Sequence, residues 1–203
     1  MTSLHAWAPD RLAGQLTFLV EAHRLCGIER QSRVVGNERR EDTAEHSWHL
    51  ALLCLVLGEY APPGVDRERA LRMVIIHDLV EIDAGDTYVY DVAAQAGRLE
   101  RERKAARRIF GLLPPDQGTA FSELWEEFEA RETPDARFAA ALDRLAPFLL
   151  NLEHHGGSWR EHQVTAGQVR ANLAKVGEGA PELAPFVTVA IEGAVAAGWL
   201  AEG

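Results

Sequence analysis

Apolar residues recur every three or four positions along nearly the whole chain, and proline or glycine clusters cut that pattern into segments. This period is that of an amphipathic helix, and it leaves little room for a sheet. Leu12, Leu16, Leu19, Val20 and His23 predict the apolar face of a first helix. A polar stretch from Glu29 to Thr43 carries Arg30, Arg33, Arg39 and Arg40. Asp42 followed by Glu45 reads as a capping box, opening a helix from Thr43 to about Tyr60 that Ala61-Pro62-Pro63-Gly64 stops. A further helix is expected over Arg67 to about Val80, with Leu71, Val74 and Ile75 inward, and another over Gly97 to Phe110. Pro115 suits a first helical turn and is followed by the stripe Phe121, Leu124, Trp125 and Phe128. Pro134 to about Leu152, Thr165 to Lys175 and Pro181 to Ala197 complete the set, with Gly156-Gly157 as a stop. Only Thr87 to Val92 alternates weakly, at a length that suits a loop. The fold class expected is all-α: one helical bundle over residues 1–203, its core at about 10–175 and a C-terminal helix at 181–198 packed on it.

Composition narrows the function. The chain has 203 residues, of which 47% are hydrophobic and 26% charged, enough apolar material for one core. Its formal net charge of -10 opposes a nucleic-acid backbone, so no nucleic-acid polymer is expected as partner. A small anionic substrate remains compatible, because cations inside a pocket can reverse the local field. Cys26 and Cys54 form no CxxC pair and read as small buried hydrophobes in a reducing compartment. Asp10, Arg11 and Glu21 interrupt any leader-like run, and the apolar stretch Leu50 to Leu57 is too short to span a membrane. A cytoplasmic protein with no membrane partner is the expectation.

Ionisable residues inside apolar runs carry the chemistry. His77-Asp78 sits where Met73-Val74-Ile75-Ile76 should continue into the core. Burying such groups costs several kcal/mol unless they find partners, which a salt bridge or a metal can provide. An HD dipeptide alone is more often a hydrogen-bonded core pair. Two further interruptions change its meaning: His46 opens the helix Ala44-Glu45-His46-Ser47-Trp48-His49, and Asp143 breaks Phe138-Ala139-Ala140-Ala141-Leu142. Three helices thus each bring a metal-capable group to an apolar surface, and imidazole with carboxylate suits a divalent first-row ion with open positions.

The order His46, His77-Asp78, Asp143 resembles the HD-domain metal-dependent phosphohydrolases. The longer strings Ala44 to Ala51, Ile76 to Thr87 and Ala141 to Leu145 resemble the branch of the bacterial 5'-deoxynucleotidases and their eukaryotic relatives, over about residues 10 to 175. The resemblance implies that His46, His77, Asp78 and Asp143 hold one divalent ion (manganese, cobalt, nickel, iron, zinc or magnesium). It implies that Glu81 is the acid–base residue, that Asp86 faces the substrate sugar, and that the protein is a homodimer acting on a nucleotide. The family's Arg-x-Gly-Trp element corresponds to Arg30-Gln31-Ser32-Arg33, with Arg30 as the substrate-holding arginine and Arg33 where the tryptophan would stand. The residues support Glu81 independently. It follows His77 by four and Asp78 by three, so a continuous helix puts all three on one face.

Blander roles compete at each position. Glu81 could be a salt-bridge partner and Asp86 a turn residue. His49 reads as a core or supporting histidine, His154-His155 as a solvated helix end, and His5, His23 and His162 carry no role. Arg39 or Arg40 could bind phosphate or belong to a solvated loop. The basic run from Arg98 to Arg108 reads as a solvated helix face, and the Trp125–Phe128 stripe as core or subunit contact. The leading functional expectation is hydrolysis of a (deoxy)nucleoside 5'-monophosphate. Alternatives are a nucleotide pyrophosphohydrolase or phosphodiesterase using the same site, a non-catalytic nucleotide-binding regulator, and a helical interaction protein with a vestigial site.

Overall fold

The computed structural model describes residues 6–203, so His5 and the first residues of the expected bundle lie outside it. The chain runs α1 (Asp10–Ala22), β1 (Glu29–Arg33), β2 (Arg40–Asp42), α2 (Thr43–Val56), α3 (Arg67–Ile76), α4 (Glu81–Ala84), α5 (Val92–Gln95), α6 (Arg98–Phe110), α7 (Pro115–Ala130), α8 (Pro134–Glu153), α9 (Gly157–Glu161), α10 (Ala166–Gly179) and α11 (Ala184–Ala196). It is a single-domain helical bundle with one hydrophobic cluster, in which Phe110, Trp125, Phe138, Leu142 and Leu145 are among the buried side chains.

Helix α8 is the central post, packing against α2, α3, α7 and α10. Thr133 caps it by accepting from Ala136 N at 3.2 Å, and Pro134 occupies its first turn. Pro147 lies inside it and has no N–H to donate to the Asp143 carbonyl one turn earlier. Helix α2 begins with both halves of the expected capping box: Glu45 N donates to Asp42 Oδ1 at 2.8 Å, and Asp42 N donates to Glu45 Oε2 at 3.0 Å. The cap anchors the turn that precedes His46. At the C-terminus, Val187, Ile191, Ala194 and Leu200 join the core, and Ala166 N donates to the Ala201 carbonyl at 2.7 Å. Among the described residues no helix is long and apolar enough to cross a membrane.

Three sequence expectations are corrected. The polar stretch after α1 is a two-stranded antiparallel hairpin, with Glu29 opposite Asp42 and Arg33 opposite Arg40. Its buried side chains are Ser32 and Glu41, so no apolar alternation marks it. Helix α1 buries Ala13 and Phe18, whereas Leu12, Leu19 and Val20 of its expected inner face are exposed. Helix α3 stops at Ile76, and a tighter 3₁₀ turn, His77–Val80, links it to α4. His77, Asp78 and Glu81 therefore do not share one continuous helix.

Candidate metal centre

That tight turn has a chemical consequence. It carries both His77 and Asp78, whose side chains meet with His77 Nε2 3.0 Å from Asp78 Oδ1. His77 Nδ1 lies 3.0 Å from the Val74 carbonyl, and because a carbonyl only accepts, Nδ1 carries the proton. Nε2 is then left facing carboxylates, 3.0 Å from Asp78 Oδ1 and 3.6 Å from Asp143 Oδ1, yet it makes no hydrogen bond with either. Behind the ring, Phe128 packs at 4.7 Å between centroids, and Trp125 Nε1 donates to the His77 carbonyl at 3.2 Å. The Trp125–Phe128 stripe is thus core, and specifically the backing of this histidine.

His46 approaches from α2, fully buried, with Nε2 at 3.2 Å from Asp143 Oδ1 and 3.7 Å from Asp78 Oδ2. Ligand atoms of His46, His77 and Asp143 all lie within 4.8 Å of one another, an arrangement that can hold a metal ion. Asp78 borders the same space, with Oδ2 accepting from Arg30 Nη1 at 3.1 Å. The donor set fits a divalent ion: two imidazole nitrogens, carboxylates beside them, and a buried His77 Nε2 that no hydrogen bond among the described residues satisfies. His49 stays outside this cluster, as do His154, which meets the Val34 carbonyl at 3.2 Å, and His155, which stacks on Trp199.

Burial and neighbours sort the charges. Burial drives His46 down to about 4, leaving the neutral imidazole a metal ligand requires. Burial opposes charge on His77 as well, but Asp78 and Asp143 outweigh it and hold its pKa well above the usual histidine value. Asp78 is brought down to about 2 despite burial by His77 and Arg30, and Asp143 falls well below its ordinary value through Arg144 and the two histidines. Glu81 goes the other way: burial, then Asp78, raise it well above the usual carboxylate range. Carboxylates with opposed environments are the pattern of a site that both binds cations and handles protons.

His77, Asp78, Glu81 and Asp143 line one pocket of about 890 Å³, part of it open to solvent. Thr43 Oγ1 donates to Glu81 Oε2 at 3.0 Å. Arg30 also lines the pocket, and its Nη1 lies 3.4 Å from Asp86 and 3.9 Å from Glu81, so those acids share one buried guanidinium. Arg33 does not line the pocket; Glu161 at 2.7 Å and Glu38 at 3.3 Å hold it on the outer side of the hairpin. Arg39 pairs with Glu45, and Arg40 pairs with Glu161 at 3.0 Å. Arg98 leaves the otherwise exposed basic face of α6 to line the pocket, paired with Glu129 at 2.7 Å.

Residues that sequence reasoning did not single out complete the site. Glu41 brings Oε2 to 3.9 Å from His46 Nδ1 and 3.6 Å from Arg30 Nε. Arg131 and Arg144 line the pocket, as do Tyr88, Tyr90 and Trp159. A signal existed only for Arg144, which directly follows Asp143.

A protein-family model described as HD domain matches residues 22–184, most of the chain. The chain belongs to the HD-domain family. This HD-domain protein is similar to a predicted metal-dependent phosphohydrolase from Magnetospirillum magnetotacticum, whose crystal structure superposes with a TM-score of 0.91 at 50% identity, covering 95% of this chain and 96% of that one. It is also similar to the human protein named 5'-deoxynucleotidase HDDC2, 29% identical over 160 residues, 75% of this chain and 77% of the relative. A fission-yeast protein named 5'-deoxynucleotidase hdd1 is 26% identical over 114 residues, 54% of this chain and 56% of that relative.

Proposed function

We propose that this HD-domain protein hydrolyses a (deoxy)nucleoside 5'-monophosphate to nucleoside and phosphate, with one divalent ion held by His46, His77, Asp78 and Asp143. The observation that carries this reading is the convergence of His46, His77 and Asp143 within 4.8 Å at a pocket that also holds Glu81 and Arg30. The names of the human and fission-yeast relatives support the substrate class. When bound, the ion supplies Lewis acidity, acidifies a water and neutralises phosphate oxygens.

The chain's own residues do the rest. The Val74 carbonyl fixes the tautomer of His77, which would leave Nε2 free to hold the ion. Asp78 accepts from Arg30 with Oδ2 and would offer Oδ1, 3.0 Å from His77 Nε2, to the ion. Glu81 Oε2 accepts from Thr43, and its raised pKa suits a carboxylate that takes a proton from attacking water and returns it to the leaving alkoxide. Asp86, steadied by Arg30, faces the sugar. Tyr88 and Tyr90 give the pocket an aromatic wall for a base. Arg33, tied to Glu161, acts through the hairpin that carries Arg30.

Phosphate release from a panel of nucleoside 5'-monophosphates tests the reading. Activity is expected to vanish on chelation and return with a divalent ion. Release of pyrophosphate from triphosphates in place of phosphate would move the assignment to a pyrophosphohydrolase. Metal-loaded protein that turns over no phosphate ester, or an Asp78→Ala variant with unaltered metal content and turnover, would remove it. We further infer a homodimer, supported by the uncovered apolar side chains Trp48, Leu52, Leu55 and Val56, which follow one face of α2.

A further inference from the structure

The pocket contains two arginines that its acids satisfy only in part. Arg30 is engaged by Asp78, Asp86 and Glu41, and the hairpin arginines are paired outside the pocket. Arg131 and Arg144 differ. Arg131 is the C-cap of α7, held in the left-handed region at φ 55, and its guanidinium enters the pocket wall. Its Nε is buried without a hydrogen-bond partner, and its side chain enters no salt bridge among the described residues. Arg144 Nε is likewise buried and unpartnered, while Nη1 lies 3.5 Å from Asp143 Oδ2, the oxygen turned away from the histidines. Burial and then Arg144 depress the pKa of Arg131, and burial with both arginines depresses that of Lys175 on α10.

Assembling like charges and unsatisfied N–H donors in a half-buried wall is unfavourable for the empty protein. It becomes favourable when an anion with several acceptor oxygens arrives, because guanidinium forks match phosphate oxygens and charge-assisted hydrogen bonds are about twice as strong as neutral ones. Arg144, against an outer oxygen of Asp143, places this charge at the rim of the metal-ligand cluster. We propose that Arg131 and Arg144 form the clamp that receives the phosphoryl group of the substrate beside the metal-ligand residues. The clamp rests on the phosphomonoester reading above and deepens it by naming the residues that recognise the phosphate.

Calorimetric titration of the as-purified protein with inorganic phosphate and with deoxyadenosine separates this role from a structural one. Arg131→Gln and Arg144→Gln are each expected to weaken phosphate binding by about tenfold or more and to leave nucleoside binding unchanged. Arg131→Lys should restore part of the affinity, since it keeps charge and loses the fork. The melting temperature gives a second readout. Arg131→Gln relieves repulsion, so the ligand-free variant should melt at or above the wild type and lose the rise that phosphate produces in it. A residue that merely supports the fold gives the opposite, a lower melting temperature with the phosphate response intact, and that result overturns the clamp. Phosphate affinity unchanged in both glutamine variants overturns it too. If the wild type hydrolyses nucleoside monophosphates and both variants keep its KM, the clamp fails and the enzymatic reading stands. If phosphate binds through these arginines but no ester is turned over, the enzymatic reading fails and the clamp stands.

Discussion

Glu41 and Glu81 are both buried acids near the histidines, yet their neighbours give them different work. Glu81 is gripped by Thr43 and lines the pocket, so replacing it should damage proton transfer and spare metal binding. Glu81→Gln is expected to lower kcat by about 10²–10⁴-fold. Metal content measured by elemental analysis should stay at the wild-type level; a joint loss of metal and activity would instead make Glu81 a ligand. Glu41 lies behind His46, 3.9 Å from Nδ1, and among the described residues neither that nitrogen nor Glu41 Oε2 has a hydrogen-bond partner. A carboxylate at the far nitrogen of a metal histidine fixes the ring and raises its basicity. Glu41→Gln should therefore weaken metal binding by about 10–100-fold, read by titration with a competing chelator. Turnover at saturating metal should change little. Equal metal affinity in variant and wild type would reduce Glu41 to a partner of Arg30.

Helices α6, α8 and α10 show how far an element can be read before its neighbours are known. The first turn of α6 carries Arg98, bonded to Glu129 and, at 3.3 Å, to Glu102 of its own helix. Burial pushes Glu102 up to about 7 even though Arg98 pulls it down. Because the folded value lies above the unfolded one, this group favours folding at low pH, and that contribution is lost as pH rises from about 4.5 to about 7. Glu102→Gln should match the wild type near pH 4 and exceed it at pH 8 by up to about 3 kcal/mol in urea unfolding. A variant less stable than wild type at pH 8 would contradict this. Where α10 meets α8, a Cβ at Gly179 would lie 2.9 Å from Ala141 Cβ and against the Arg137 backbone. Gly179→Ala should part the two helices at a cost of about 1–3 kcal/mol, visible as a lower urea midpoint. The bundle and the meeting of His46, His77 and Asp143 were legible because these residues interrupt apolar runs, a signal that survives without coordinates. The hairpin was not, because its inward residues, Ser32 and Glu41, are polar and carry no hydrophobic period. Nor were two pocket arginines: Arg131 is a helix cap whose pocket neighbours arrive from other helices, and Arg98 is hidden in an ordinary basic run. Arg33 was singled out by alignment with a motif, while its side chain follows strand geometry outward to Glu161.

At the scale of the whole molecule, two opposed features meet: a net charge of -10 and uncovered apolar side chains on neighbouring parts of the chain. Leu12, Leu19 and Val20 on α1, and Trp48, Leu52, Leu55 and Val56 on α2, are all exposed. An uncovered apolar face such as that of α2 marks a contact surface more often than free solvent. If two copies meet there, each brings the same negative charge, so association should be driven by apolar burial and opposed by repulsion. Salt screens the repulsion at distances beyond about 8 Å at physiological ionic strength and leaves the burial intact. Sedimentation equilibrium should therefore show a dimer that tightens as salt rises from low to moderate concentration. Leu55→Glu adds a charge to the centre of the α2 face and should yield a monomer whose metal content is unaltered, because Leu55 points away from His46 on the same helix. A wild type that sediments as a monomer across the salt series, or a Leu55→Glu protein that stays dimeric, would place the apolar face outside any self-association.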